Sequence, residues 1–417
     1  MKKTLLQRLS IEWSHYQSMG INLQRLMLSY IFYLMARPLL DVFMSAFLWR
    51  QANGAILVIM YYLGWVLGLP VGFLINGFLL KKIHVKNLYF FGVVFQGAGA
   101  ALAVFSTVFS PFSILSYGFL FGLTASFFWA NKNSLSYLLS KGKDRMYYNS
   151  IESSLRLVVG VVVPVIVGWF LALGETISFY SVASAYKIMI VIALFLLFVS
   201  GLLMKFSAFE DIGSAQLWVT KKSKNWSMAR AINFIYSCLM GINLFYPALL
   251  ILNFGAKEGL LGTLQSVMQL LAAGSLYIAG RKMKDGHVLR FMNVAHLLYL
   301  ITMSLLLWQF SWLFGLVYLM TQIILESVRW TNSYTLVMSA MDEELKGQNE
   351  HAGYAYVFDN EIFFNLGRAV GILSFLSVMA FSNLEFAMRW APPIFILLQF
   401  FLYWPMKYLL ERKAKRI

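Results

Sequence analysis

Residues 129–168 read WANKNSLSYLLSKGKDRMYYNSIESSLRLVVGVVVPVIVG, and residues 330–371 read WTNSYTLVMSAMDEELKGQNEHAGYAYVFDNEIFFNLGRAVG. Each begins with Trp-x-Asn inside an apolar run and crosses a short hydrophilic stretch. Each then enters a second apolar run with a Glu near its start, an Arg further on, and then glycines. Trp129 and Trp330 are 201 positions apart; Glu152 and Glu361 are 209 apart, because the second hydrophilic stretch is longer. In a chain of 417 residues that offset is close to half the length, which predicts an internal duplication.

Around these two stretches the chain is 60% hydrophobic and 12% charged. Ordinary soluble domains run at about 45–50% apolar and about 25% charged, so the expectation is an all-α integral membrane protein. Long apolar runs, rather than short alternating strands, exclude an outer-membrane barrel. Twelve runs can be drawn, at 24–49, 53–80, 87–109, 111–140, 147–173, 178–204, 228–254, 258–280, 288–308, 311–340, 352–381 and 386–409. Each is near the length of about 20 residues that spans the hydrocarbon core. The longest connection, 205–227, divides them into six and six. The expected organisation is an interfacial N-terminal segment at 1–23, a six-helix half at 24–204, a linker at 205–227, a second half at 228–410 and a basic tail at 411–417. The N-terminal segment is mixed and amphipathic, with no small-residue cleavage site before an apolar core, so it reads as an interfacial helix and not a signal peptide.

The 34 Lys and Arg fix the orientation. Taking the N-terminal side as one face, 25 lie there, four lie opposite (Arg50, Lys187, Lys257, Arg389) and five are inside segments (Arg37, Lys132, Arg156, Arg329, Arg368). This is the positive-inside pattern, which places both termini in the cytoplasm. The net charge of +16 is then a set of topological anchors facing anionic lipid, not a nucleic-acid surface. The acidic stretch 341–351 is expected to be a cytoplasmic loop against the prevailing charge.

The connections after segments 2 and 8 echo each other. Gly77 is followed by Lys81, Lys82, His84 and Lys86, and Gly280 by Arg281, Lys282, Lys284, Asp285 and His287, at an offset of 203. Two six-helix halves repeat in parallel. With a longer central linker and Gly-x-x-x turns carrying bases, the chain resembles the major facilitator superfamily (MFS). The resemblance covers essentially the whole chain and rests on architecture more than motif. The family's Gly-x-x-x-Asp-Arg-x-Gly-Arg-Arg loop is matched at Gly77, Lys82 and Lys86, while Lys81 stands for the acid and His84 for the glycine. In segment 5, Gly160, Pro164 and Gly168 only loosely resemble the family's antiporter motif. The resemblance implies that segments 1, 4, 7 and 10 line a central cavity, that 2, 5, 8 and 11 flank it, and that 3, 6, 9 and 12 face lipid.

Ten ionisable residues sit inside or near the ends of segments 1, 4, 5, 10 and 11: Arg37, Asp41, Lys132, Glu152, Arg156, Glu326, Arg329, Asp359, Glu361 and Arg368. At about 2.5–3.5 kcal/mol each at midplane, their lipid exposure would exceed a typical net stability of about 5–15 kcal/mol. They must be paired or face a polar cavity. Arg37 and Asp41 are i,i+4; Glu326 and Arg329 are i,i+3; Glu361, Asn365 and Arg368 lie on one face. The candidate substrate contacts are Arg37, Asp41, Trp129, Asn131, Lys132, Glu326, Arg329, Trp330 and Asn332. Asp41 is the proton-coupling candidate. Glu152, Arg156, Asp359, Glu361 and Arg368 are candidates for a gate or a lock between helices. A structural role stays open for each pair. Segments 7 and 8 add Asn233, Asn243, Gln265 and Gln269.

No nucleotide-binding loop, nucleophile elbow or zinc-helix motif is visible, and a single Cys238 leaves no intrachain disulfide. No catalytic residue, metal or cofactor is expected. The leading expectation is a secondary active transporter of the inner membrane. It would move a polar or charged (anionic or zwitterionic) organic solute by alternating access, proton-coupled from the family's habits, and function as a monomer. The alternatives are a lipid or lipid-linked substrate flippase on the same scaffold and a transporter-derived membrane sensor or scaffold. A membrane-embedded enzyme is the weakest.

Overall fold

An apolar run in hydrocarbon can satisfy its backbone internally only as a helix or a closed barrel, and the apolar runs of this chain are helices wherever the structure describes them. The computed structural model describes residues 16–17, 19–52, 54–140, 143–177, 180–208, 216–219, 223–282, 285–346 and 352–414. Most of the segment at 1–23 therefore lies outside the described residues, as do 209–215 and 220–222 of the linker, 347–351 of the acidic stretch and 415–417 of the tail. Among the described residues twelve helices are long and apolar enough to cross a membrane: α1 (Ile21–Trp49), α2 (Gly54–Leu79), α3 (Val85–Phe105), α4 (Pro111–Ser136), α5 (Ser150–Gly174), α6 (Val182–Lys205), α7 (Lys224–Asn253), α8 (Glu258–Arg281), α9 (Val288–Trp308), α10 (Trp312–Leu345), α11 (Ala352–Phe381) and α12 (Leu384–Lys413). An even number puts the first and last helix ends on one face, here called the linker face.

The boundaries depart from the sequence reading where capping decides them. α3 stops at Phe105, short of 109, and Ser110 then caps α4 by accepting from the Ser113 amide in a capping box. α10 continues to Leu345, so the first part of the acidic stretch is helix and not loop. The reason is local. Glu344 accepts a hydrogen bond from Ser223, the cap of α7, and Glu343 accepts one from Asn225 at 2.8 Å. Carboxylates at a helix N-terminus meet the positive end of its dipole, which makes an acidic segment acceptable on a basic face.

Two helices break at matching places. α1 carries Pro38, and its helix is interrupted at Asp41. α7 is interrupted at Leu244 and Phe245, just before Pro247. Proline lacks an N–H and crowds the carbonyl one turn back. Asp41 and Phe245 are 204 positions apart, so the breaks follow the same repeat as the tryptophans.

Small residues set the closest packing. Gly64, Gly68 and Gly72 of α2 lie against α4 so tightly that a Cβ on Gly64 would meet the Leu115 carbonyl oxygen at 2.1 Å. Between the halves, Gly168 of α5 faces the Glu258 carbonyl, and Gly262 of α8 faces that of Pro164. This small-residue approach is the membrane counterpart of a ridge-and-groove contact. On the linker face, the hydroxyl of Tyr354 from α11 donates to the Phe73 carbonyl at 2.6 Å, and Asn76 donates to Tyr354 at 3.2 Å. The halves therefore touch near both faces of the membrane, around a polar centre.

Candidate transport site between the halves

The centre is built where α1 breaks. Arg37 and Asp41 form an ion pair at 2.5 Å, and both side chains are mostly buried. Arg37 also donates to the Tyr33 hydroxyl at 3.2 Å, and its guanidinium lies 5.5 Å from the Trp65 ring. The hydroxyl of Tyr62 donates to the Asp41 carbonyl at 3.4 Å, beside the bond that the same carbonyl accepts from the Ser45 amide at 3.3 Å. Asp41 Oδ1, Tyr61 Oη, Trp65 Nε1 and both amide atoms of Asn243 are buried with no hydrogen-bond partner among the described residues. Asn243 sits on α7, two residues before Phe245, whose ring is 6.3 Å from Tyr62. A buried unsatisfied polar group costs about 1–3 kcal/mol, so this concentration marks hydrogen-bonding capacity that the protein does not use on itself.

The second half contributes Arg368 and Glu361 from α11. Arg368 donates to Asn365 at 3.2 Å and lies 4.1 Å from the Phe364 ring centroid. Glu361 accepts from the Asn365 amide at 3.0 Å. Among the described residues neither forms an ion pair within 4.0 Å. Arg368 lies within electrostatic reach of Arg37, and Arg156 and Glu361 both lie within reach of Tyr334. The deep charges of the two halves thus lie within electrostatic reach of one another.

The remaining charges close on their own half. Lys132 of α4 donates to Glu152 of α5 at 2.6 Å, and Arg156 holds the other oxygen of Glu152 at 3.1 Å. Lys132 also lies 4.7 Å from the Tyr30 ring centroid and is only 4% exposed. Arg156 remains open. Asn131 is tied to Asn76 of α2 at 2.7 Å. Trp129 packs edge-on against Tyr30 and Tyr33.

In the second half, Glu326 accepts from Tyr236, from Tyr299 at 3.0 Å and from Arg329 at 2.7 Å. Arg329 is fully buried and donates to Gln399 of α12 at 2.7 Å. It therefore turns toward α7, α9 and α12 and away from the first half. Trp330 stacks on Tyr334 at 5.2 Å, and Asn332, two residues on, is half-buried. Asp359 accepts from Nε and Nη2 of Arg230, each at 2.7 Å, and from the indole N–H of Trp226 at 2.7 Å, joining α11 to α7.

Two sequence expectations change as a result. Lys132 and Arg329 are not open to a cavity; each is committed to a carboxylate, because an amine or guanidinium this deep needs a counter-charge. Helices α9 and α12 are also not purely lipid-facing, since Tyr299 and Gln399 supply buried polar partners to Glu326 and Arg329. Sequence reasoning missed Arg50 and Glu258 as well. Arg50 Nε and NH2 reach the two oxygens of Glu258 at 2.5 and 2.7 Å, and the Tyr186 hydroxyl adds a third bond at 3.0 Å. Both lie at segment ends, where a charge ordinarily means an interface with water. Only the tertiary fold reveals that Glu258 is buried.

With this geometry in view, the profile of the Major Facilitator Superfamily matches residues 26–372, and the chain belongs to that family. It is a multi-pass secondary transporter with the small-molecule substrates of that family, not an enzyme. Among curated proteins it is similar to the uncharacterized protein YqgE of Bacillus subtilis (strain 168). The two are 24% identical over 360 residues, spanning 84% of this chain and 80% of that protein. Among solved structures it is similar to the MFS transporter FucP in the outward conformation, with a TM-score of 0.57 at 14% identity over 91% of this chain and 97% of that one. A variant of the E. coli fucose:proton symporter FucP matches to the same degree. At that identity the likeness shows the fold.

Proposed function

We propose that this transporter moves an organic solute bearing an anionic group, anionic or zwitterionic overall, by alternating access of its two halves, and that protons drive it. The observation that supports this reading is that Arg368 of α11 has no ion-pair partner within 4.0 Å among the described residues while lying within electrostatic reach of Arg37 of α1. At the centre Arg37 and Arg368 stand with Asp41 and Glu361, and beside it Lys132 and Arg156 share the one carboxylate of Glu152, with Arg156 left open. The excess of one base favours an anion. Arg368 has no carboxylate within ion-pair distance among the described residues, so a solute carboxylate or phosphate is its natural counter-charge. Binding there from both halves would pull them together, which is the differential affinity that a population shift between open and closed states requires. Asp41, Trp65 and Asn243 are assigned the remainder of the solute.

Within this reading Lys132–Glu152–Arg156 and Glu326–Arg329–Gln399 hold each half rigid, and Asp41 carries the proton. Residues 24–204 and 228–410 are assigned as the moving bodies, with 205–227 as linker and 411–417 as a basic tail. We take the protein to work as a monomer of the cytoplasmic membrane; its charge asymmetry supports both termini inside.

The test is a solute screen by thermal shift on purified protein, followed by uptake into proteoliposomes. An anionic or zwitterionic solute should stabilise the parent. Arg368→Gln and Arg37→Gln should each weaken its binding by at least tenfold, about the 1.5–3 kcal/mol of a charged hydrogen bond. Equal stabilisation of both variants removes the anion from this site. Binding without any flux favours the sensor reading.

A further inference from the structure

The second half has a feature that solute transport does not require. α8 and α9 both pack along α10, and the space between them is a lipid-facing groove of about 710 Å³. Its walls are apolar: Leu270, Leu271 and Ile278 from α8, Phe291 and Val294 from α9, and Ile324 from α10. Gly274 lies along it with nothing within 4 Å of the place a Cβ would occupy, so the missing side chain is part of what keeps the groove open. From Leu270 to Ala279 the groove follows nine helical steps, about 14 Å at 1.5 Å each. One leaflet of hydrocarbon is about 15 Å, half of the core thickness. The groove therefore spans one leaflet and opens at the linker face.

Its mouth is basic. His287 and Arg290 line it, and Arg281, two residues beyond Ala279, is exposed and lies 4.8 Å from the Tyr277 ring centroid. From Arg281 through Arg290 the sequence holds four Lys or Arg, those two included, against one Asp. An apolar channel one leaflet long with cations at its headgroup end has the chemistry of a phospholipid seat.

We propose that this groove binds one glycerophospholipid with an anionic headgroup, an acyl chain lying past Gly274 and the phosphate held at Arg281 and Arg290. The site is separate from the central charges and does not depend on the identity of the transported solute. An acyl chain there fills the gap that α8 and α9 leave on α10, so its occupancy should also raise thermal stability.

Native mass spectrometry of the full-length protein, titrated with phosphatidylglycerol or phosphatidylcholine of matched chains, tests this. The parent should retain one phosphatidylglycerol selectively over phosphatidylcholine. Arg281→Gln with Arg290→Gln should erase that selectivity, each arginine contributing about fivefold. Gly274→Leu should reduce retention of both lipids by filling the groove. The two arginines are exposed, so the double variant tests the site even if Gly274→Leu fails to fold. Equal retention of the two lipids by the parent overturns the proposal, as does undiminished selectivity in the double variant.

Discussion

Arg50 and Glu258, 208 residues apart in the chain, clamp the two halves together on the face opposite the linker. The Arg50 guanidinium meets the Glu258 carboxylate side-on with two bonds, at 2.5 and 2.7 Å, and Tyr186 adds a third from α6. Behind the clamp, α5 and α8 touch backbone to backbone through Gly168 and Gly262. Tyr354 and Asn76 bridge α11 and α2 near the linker face. The halves are therefore joined near both faces, and the proposed alternating access would break one set of contacts at a time.

Glu258→Gln should loosen that clamp without unfolding either half. A neutral amide keeps the shape but loses charge-assisted bonds worth about 1.5–3 kcal/mol, so the state open on that face should rise at least tenfold. Ala172 packs against Gly259 at this seam. The single native cysteine, Cys238, is buried, so maleimide labelling of Ala172→Cys can report the opening. Faster labelling in the Glu258→Gln background is expected. An unchanged labelling rate would mean that the clamp does not hold the halves.

Asp359→Asn should act on stability. The carboxylate holds Arg230 and Trp226 together, at side-chain exposures of 16% for Asp359 and 18% for Arg230. Breaking a buried pair costs about 3–5 kcal/mol, and partial exposure lowers that to about 2 kcal/mol. The expected result is a thermal unfolding midpoint several degrees lower with solute affinity unchanged. A loss of solute affinity at unchanged stability would move Asp359 into the binding site.

The two-half architecture was legible because periodic landmarks survive in the chain: Trp129 and Trp330, Gly77 and Gly280, Glu152 and Glu361. The identity of the charged residues was legible too, since hydrocarbon makes every deep charge conspicuous. Their partners were not. i,i+3 and i,i+4 spacing exposed Arg37–Asp41 and Glu326–Arg329 because helix geometry is local. Lys132–Glu152 and Arg230–Asp359 join different helices, at 20 and 129 positions' separation, and no spacing rule encodes them. Arg50–Glu258 was hidden further, because segment ends are where charges are commonplace.

Lys132 and Glu152 give a way to separate a lock from a solute contact. Lys132→Met leaves the Glu152 carboxylate without its closest base, and Glu152→Gln leaves Lys132 buried without an acid. Each single change should lower the unfolding midpoint, whereas the double variant should recover most of the loss, because removing both charges also removes the desolvation penalty. Thermal shift by the solute should persist in the double variant. If the double variant is as unstable as the sum of the singles, the pair contributes no coupling. If it is stable but no longer responds to solute, Lys132 is a contact after all.

Asp41 and Glu361 are the two central carboxylates with spare capacity, and they differ in how it is left. Asp41 has Arg37 on one oxygen at 2.5 Å and no partner on buried Oδ1. Glu361 accepts only from the Asn365 side chain and backs onto no base within ion-pair distance among the described residues. Asp41 sits at the α1 break beside Arg37, so a proton on Asp41 releases Arg37 for a solute anion. A proton on Glu361 would change no ion pair. Coupling should therefore run through Asp41. In proteoliposomes loaded with a pH-sensitive dye, Asp41→Asn should abolish solute-driven acidification while solute exchange continues, and Glu361→Gln should retain both. Acidification that survives Asp41→Asn but disappears in Glu361→Gln would transfer the proton site to α11.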